Sequence, residues 1–356
     1  MDTTLQRFSA QIAAASAARA PLRIRGGGSK DWYGQRLEGE LLDTRAYAGI
    51  TDYEPTELVV SARCGTPLAE IEAQLERHGQ MLACEPPHFG PGATLGGMVA
   101  AGLSGPRRQA AGSVRDFVLG AVLVDGHGEL LHFGGKVMKN VAGYDVSRLL
   151  TGSLGMFGLI AEASLKVLPK PVAELSLRQA MTQEDALRRL NEWGGQPLPI
   201  SASAWLDGVL SVRLSGARSA VAAARMRIGG DAFEEAEAWW CDLREHEHGF
   251  FAEAARHPNG LWRLSLPSSA PPLALSGRQL VEWGGAQRWL VTDVEPDAIR
   301  AAAAALGGHA TLFRGGQRDV GVFHPLAPAV QTIHKQLKDA FDPAGVFNRG
   351  RMYKEF

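Results

Sequence analysis

Residues 90–102 read Gly90-Pro91-Gly92-Ala93-Thr94-Leu95-Gly96-Gly97-Met98-Val99-Ala100-Ala101-Gly102, a run rich in glycine yet mostly apolar. A flexible linker of this glycine content would be polar and hydrated. Loops of Gly, Ala and Thr instead bring backbone against a flat ligand while burying it. Close packing of helices through small residues is the alternative use of the same composition. Upstream, Arg25-Gly26-Gly27-Gly28-Ser29 follows the extended Pro21-Leu22-Arg23-Ile24. Three successive glycines allow positive φ and close backbone approach, so consecutive N–H groups can converge on one anion such as a diphosphate; a surface turn would also use them. Downstream, Leu149-Leu150-Thr151-Gly152-Ser153-Leu154-Gly155-Met156-Phe157-Gly158-Leu159-Ile160 spaces glycines for a turn, with Ser153 free to hydrogen-bond. None of the three segments fits GxGxxG between strand and helix, or a P-loop ending in Lys-Ser/Thr.

The surrounding pattern predicts a mixed α+β chain. Residues 57–64 (ELVVSARC) read as a strand, and Thr66-Pro67 as an N-cap and first-turn proline of a helix bearing Leu68, Ile71 and Leu75 and ending near Gly79. Residues 117–124 and 129–133 flank the turn Asp125-Gly126-His127-Gly128, predicting a hairpin. A strand over 159–168 is closed by Pro169 and Pro171, which marks a domain boundary. Residues 173–234 then read strand, helix, strand, strand, helix, strand, the first helix opening on Thr182 and Asp185 in capping-box spacing and the second following Ser219. Residues 261–314 repeat that order, with strands near 261–266, 279–283, 286–291 and 309–314 and an Ala-rich helix near 295–306. Two such βαββαβ-like units suit one antiparallel sheet with helices on one face. A helix near 326–341 and a tail through Asp342-Pro343, Gly345 and Asn348-Arg349-Gly350 are too short to fold alone and must dock. The expected division is 1–170, 171–315 and 316–356.

At 356 residues the chain exceeds the usual single domain. Hydrophobic residues at 45% and charged residues at 21% describe a compact globular protein. Lys plus Arg number 37 against 38 Asp plus Glu, so no excess positive charge draws nucleic acid or anionic lipid. Cys64, Cys84 and Cys241 are too few for a disulfide framework or for an iron–sulfur cluster, which needs about four thiolates. The Ala-rich helical pattern from Met1 to Pro21 lacks the apolar core of a signal peptide, and no run approaches the ~18 apolar residues of a membrane span. A cytoplasmic protein is expected.

The order RGGGS, GATLGGMVAAG, GYDVSRLLTGSLGMFGLIAEASLKVLPKP and FDPAGVFNRGRMY resembles the vanillyl-alcohol-oxidase (PCMH-type) FAD-binding family in its 2-hydroxyacid dehydrogenase branch. CEPPHFG, GPRR, GSVRDFVLG and FGGKVMKNVAGYDVSRL extend the likeness over nearly the whole length, to FAD-binding subunits of glycolate oxidase complexes. The resemblance implies a PCMH-type FAD-binding domain of two α+β subdomains and an antiparallel-sheet cap domain. It implies FAD contacts from Arg25, Gly26, Gly27, Gly28, Ser29 and Lys30, from Pro91, Thr94, Leu95, Gly96, Gly97, Met98 and Ala101, and from Gly155, Gly158 and Ile160. It implies as partners a sister FAD subunit and an iron–sulfur subunit, a small 2-hydroxy acid as substrate of the complex, and a peripheral place at the inner membrane through that complex. A dianionic diphosphate asks for N–H donors and an isoalloxazine for apolar walls, in keeping with these segments.

Several relatives attach flavin through a histidine directly after the glycines of the first loop. Here that position is Gly28, with His88 a weaker candidate, so non-covalent FAD is expected. The HxGDGNxH-type metal motif and the GEHG histidine of catalytic flavin subunits are both missing, and no metal is expected. His246-Glu247-His248 reads as a solvated helical face. Oxidising a 2-hydroxy acid requires a base, a cation for the carboxylate and a path to flavin. Arg107-Arg108 offers a carboxylate clamp or an exposed contact, and Lys139, Tyr144 and His324 are loop residues that could reach a flavin. No catalytic set stands out, so the expectation is electron relay or assembly while a sister subunit oxidises glycolate to glyoxylate. A self-sufficient FAD-dependent dehydrogenase and a structural subunit with an empty flavin site are the alternatives. Trp239-Trp240 suits either a core or a partner surface.

Overall fold

The computed structural model describes residues 2–135 and 144–356. They form two compact units, one of Met1–Ser104, Ser113–Pro169 and Pro325–Phe356, the other of Gly105–Gly112 and Lys170–His324.

The first unit opens with α1 (Thr3–Ala18), capped by Asp2 and buried along Leu5, Phe8, Ile12 and Ala15, one stripe at helical spacing. Two short parallel strands follow, β1 (Leu22–Arg25) and β2 (Glu40–Asp43). β3 (Ile50–Glu54) and β4 (Val59–Arg63) lead to α2 (Leu68–Glu76), whose Leu68, Ile71 and Leu75 are buried as their spacing predicts. Its cap differs from the expectation. Pro67 holds the N-cap position, and the Thr66 hydroxyl accepts from the Gly49 amide (2.9 Å) and donates to the Arg63 carbonyl (2.7 Å), tying the chain to the preceding loop. α3 (Leu95–Ala101) is capped by Thr94 and ends on Gly102 in the left-handed region. β5 (Val118–Val124) and β6 (Leu130–Gly134) make the expected hairpin, and β7 (Leu159–Lys166) completes an antiparallel sheet of order β3-β4-β7-β5-β6.

The second unit is built on one antiparallel sheet of eight strands. β8 (Ala173–Ala180), α4 (Gln183–Gly194), β9 (Ile200–Leu206), β10 (Val209–Gly216), α5 (Arg218–Ile228) and the two-residue β11 (Asp231–Ala232) realise the first expected unit. Thr182 accepts from the Asp185 amide as N-cap of α4, whereas α5 begins at Arg218, one residue before Ser219. Two helices unannounced by the pattern follow, α6 (Ala236–Glu245) and α7 (Gly249–Ala254). The second copy has β12 (Leu261–Ser265), β13 (Arg278–Glu282), β14 (Gln287–Val291), α8 (Pro296–Ala305) and β15 (His309–Arg314), but lacks the helix after its first strand. Prolines 267, 271 and 272 preclude a continuous helix there. The irregular segment fills the missing helix's place, with Ala270 and Leu273 in a core with Trp262, Leu264, Ile299 and Ala303. Buried Arg288 donates to the carbonyls of Gly285 (3.2 Å), Pro271 and Ala270 (2.5 Å each), satisfying backbone that no helix ladder serves.

The strand order β11-β8-β10-β9-β13-β14-β12-β15 is the first copy's order mirrored in the second, joined where β9 pairs with β13. Helices α4 and α5 bury Ala186, Leu190, Val221 and Ala224 against Leu177, Val212 and Leu214. The expected solvated face at His246-Glu247-His248 is not formed. His246 ends α6 with φ 58° and stacks on Phe251 at 3.8 Å, its pKa pushed well below the ordinary value by burial, while His248 Nδ1 caps α7 by accepting from Phe250 N–H (3.2 Å). Trp240 is a core residue whose indole N–H donates to Ser176 (2.9 Å).

The chain closes in the first unit with α9 (Pro328–Phe341) and a tail in which Val346 and Phe347 are fully buried in the core with α1. Lys338 of α9 is buried, and its ammonium donates to Asp342 (2.7 Å) and to the carbonyls of Met156 (2.7 Å) and Phe347 (2.8 Å). Asp342 in turn accepts from the amides of Val346 (3.0 Å) and Phe347 (2.8 Å). Removing one partner of such a pair strands a buried charge and costs roughly 3–5 kcal/mol. Lys338→Met should therefore lower the denaturant midpoint of unfolding sharply, and adding Asp342→Leu should recover part of the loss; equal midpoints for wild type and Lys338→Met would contradict this.

Candidate functional site

The three glycine-bearing segments meet at one cavity of about 110 Å³ in the first unit. The end of β1 and the loop after it deliver Arg25, Gly26, Gly27, Gly28, Ser29 and Lys30 to its wall; α3 and its cap deliver Thr94, Gly96, Gly97 and Ala101; the turn before β7 and the start of that strand deliver Gly155, Gly158 and Ile160. Three expected contacts lie elsewhere. Leu95 and Met98 turn into the core at 1% and 2% exposure, because a helix carrying Gly96 and Gly97 on its cavity side must bury its apolar positions on the other. Pro91 is exposed in the turn before α3.

Backbone proximity explains the glycines. A Cβ on Gly27 would fall on the carbonyl of Gly92, and one on Gly26 would collide with the Thr94 hydroxyl, so the first two loops meet through bare main chain. A Cβ on Gly96 would come within 2.7 Å of Cys64 Cβ. Gly28 has φ +77°, and a side chain there would run into the Arg25 guanidinium, which is held by Asp31 (2.6 Å). The amides of Gly26, Gly27, Gly28 and Ser29 reach no acceptor among the described residues. The lining therefore combines the N–H donors of residues 26–29 with apolar surface from Ile24, Leu37, Ala100, Leu154 and Leu159, and Lys30 is held beside them by its ammonium, which donates to the His88 carbonyl (3.1 Å). Such a donor set suits a diphosphate, and such walls a flat aromatic ring. Cys64, also in the lining, is pushed up to about 12 by burial and serves as a neutral thiol.

Sequence reasoning missed the part of the wall that comes from the chain's far end. Asn348 and Arg351 both line the cavity. The Asn348 amide accepts from Ile24 N–H (2.9 Å) and donates to the Leu154 carbonyl (2.6 Å), and Arg351 donates to the carbonyls of Asp31 (2.9 Å) and Lys30 (3.2 Å). The signal available was Asn348-Arg349-Gly350 in a tail that had to dock somewhere.

None of the other described candidates is among the residues that line this cavity. Tyr144 is 92% exposed, and Lys139 lies outside the described residues. His88 pairs with Glu72 (3.1 Å) and does not line the cavity. Arg107 and Arg108 are not an exposed pair. Arg107 is buried in the second unit on Glu174 (2.6 Å) and Ser215 (3.2 Å), and Arg108 lies over the Trp283 ring at 4.4 Å. Burial alone would raise the Glu174 pKa, but hydrogen bonds from Arg107 and Ser215 outweigh it and hold the carboxyl low. His324, also in the second unit, accepts from Ala310 N–H (3.4 Å). Among the described residues no group of three His, Cys, Asp or Glu side chains is placed to hold a metal ion.

Residues 3–134 match the family model described as an FAD binding domain. The chain is 51% identical to glycolate oxidase subunit GlcE of Escherichia coli K12 over 98% of its own length and 97% of that protein's. It belongs to the GlcE family of PCMH-type FAD-binding proteins. Other relatives of this GlcE-family chain include a D-lactate dehydrogenase of Archaeoglobus fulgidus, 29% identical over 65% of the chain and 53% of that protein, and glycolate oxidase subunit GlcD of Bacillus subtilis, 39% identical over 26% of the chain and 20% of that protein. A solved alkyldihydroxyacetonephosphate synthase shares the fold at TM-score 0.66 and 15% identity, covering 96% of this chain and 75% of the other. FAD is the cofactor of this family's site, and the donors and walls described above fit it.

Substituting Gly27→Ala should force the first two loops apart and cost at least about tenfold in FAD affinity, a loss of roughly one strong hydrogen bond's worth. Gly249→Ala, where an added methyl group meets nothing within 4 Å, is the control expected to leave binding unchanged. Flavin fluorescence titration of both apoproteins decides the matter, and unchanged affinity in Gly27→Ala would refute it.

Proposed function

We propose that the chain is the FAD-holding subunit of a heteromeric glycolate oxidase that converts glycolate to glyoxylate, in which it relays electrons or supports assembly while a sister flavin subunit oxidises the substrate. The observation that carries this reading is the near-complete alignment with a glycolate oxidase GlcE subunit, over a chain whose three glycine-bearing segments line one cavity. FAD supplies, when bound, a two-electron acceptor that can hand electrons on singly. The chain's own part is to neutralise the diphosphate with the amides of residues 26–29 and with Lys30, and to keep water from the ring with Ile24, Leu154, Leu159 and Ile160.

Two features favour relay over independent catalysis. The arginines that suited a substrate carboxylate are committed, Arg107 to Glu174 and Arg108 to the Trp283 face. The metal motif that the resemblance associates with catalytic subunits is missing from the sequence. The likeness to a GlcD subunit over part of the chain supports a flavin-bearing sister, and an iron–sulfur subunit would take the electrons onward. No helix among the described residues is long and apolar enough to cross a membrane.

Non-covalent attachment is supported by Gly28, which stands where several relatives carry the flavin-linking histidine. Its left-handed backbone, φ +77°, also disfavours any side chain at this position.

Purified chain should carry FAD that acid or heat releases into the supernatant. Mixed anaerobically with glycolate, the isolated chain should keep its yellow colour, whereas the chain reunited with its neighbouring subunits should turn over. Rapid bleaching of the isolated chain would return the catalytic site to it, and flavin remaining on the precipitated protein would contradict non-covalent binding.

A further inference from the structure

Asn348 is 4% exposed and has φ +40°, a left-handed conformation that Asn tolerates better than most residues. Its side chain makes two bonds, both to main chain. The carbonyl oxygen takes the Ile24 amide, one residue before the diphosphate-suited loop, and the NH₂ group gives to the Leu154 carbonyl, one residue before Gly155. The Asn348 backbone amide also donates to the Leu22 carbonyl (2.9 Å), so the residue is fastened to β1 by its backbone and reaches across with its side chain. Gly155 accommodates this reach: a Cβ there would come within 2.7 Å of Asn348 Nδ2.

We propose that Asn348 is a positioning residue that sets the separation of the first and third cavity loops, and through it the affinity and pose of FAD. The Asn amide carries a donor and an acceptor in one plane, and so bridges the Ile24 N–H at the end of β1 and the Leu154 C=O before the third loop. Aspartate keeps the shape and loses the donor, placing a carboxylate against the Leu154 carbonyl. Glycine keeps the left-handed backbone and loses both bonds, so it separates the bridge from backbone strain. The inference rests on the FAD reading of the cavity.

The test compares wild type, Asn348→Asp and Asn348→Gly with Ile12→Val, a change on the buried face of α1 expected to lower stability at a residue that does not itself line the cavity. Each apoprotein is titrated with FAD by fluorescence, the visible circular dichroism of bound flavin is recorded, and apoprotein melting is measured in parallel. Both Asn348 variants are expected to bind FAD about tenfold more weakly or worse, with an altered flavin dichroism, while Ile12→Val melts lower and retains wild-type affinity and spectrum. Wild-type affinity and dichroism in the Asn348 variants would overturn the proposal, as would failure of both to fold, which would assign Asn348 to the fold alone. Equal loss of affinity in Ile12→Val would reduce the effect to stability and overturn it likewise. A wild-type chain that takes up no FAD would instead defeat the reading of the cavity, and this inference with it.

Discussion

The buried ammonium of Lys338 has three protons and three acceptors, and the geometry of the first unit's far end depends on that match. Burial lowers its pKa and the neighbouring Asp342 opposes the shift, the net direction being downward. An apolar pair of equal volume would fill the same space, and replacing buried ion pairs in this way is often neutral or stabilising. What an apolar pair would not do is choose an address. The ammonium selects the Met156 carbonyl on one side and the Phe347 carbonyl on the other, so the end of α9 is registered against the turn before β7 and against the tail. Asn348 follows Phe347 directly, and its reach to Ile24 and Leu154 presupposes that register.

The glycines of the cavity carry two separate demands. Gly26, Gly27, Gly92 and Gly96 are where main chain meets main chain or a neighbouring side chain, a requirement of packing that exists whether or not a ligand is present. The row of amides over residues 26–29 is a consequence of that packing, since a loop pressed flat against another cannot fold back to satisfy its own donors. Ligand chemistry and close packing are thus one arrangement seen from its two sides. The small-residue run at 90–102 divides by residue: Gly96 and Gly97 line the cavity, Gly96 also lying close against Cys64, while the large residues Leu95 and Met98 fill the core.

Patterns that repeat locally are legible in the amino-acid order alone. The stripe of Leu68, Ile71 and Leu75, the hairpin around Asp125-Gly126, and the alternation of strands and helices from 173 to 234 all follow from periodicity and turn chemistry. The failures share a cause of the opposite kind. The irregular segment at 267–277 occupies a place where the repeat suggests a helix, although its prolines forbid one and its apolar residues pack all the same. Arg107 reads as exposed because a lone arginine pair says nothing of Glu174, 67 positions away. His246 reads as solvated only if helical phase runs through it, whereas it ends its helix.

The tail sets the limit of local reading most clearly. Asn348 binds Ile24 across 324 positions, Arg351 binds Lys30 across 321, and Lys338 binds Met156 across 182. Each bond joins a side chain to a backbone group, so the partner's side-chain identity is irrelevant and leaves no complementary residue to find. Periodicity reports which face of an element is buried and is silent on which carbonyl a buried amide will meet. Glycines advertise a site because the backbone needs them there. The polar side chains that hold those glycine loops in place do not, and they become visible only when the chain's two ends are seen side by side.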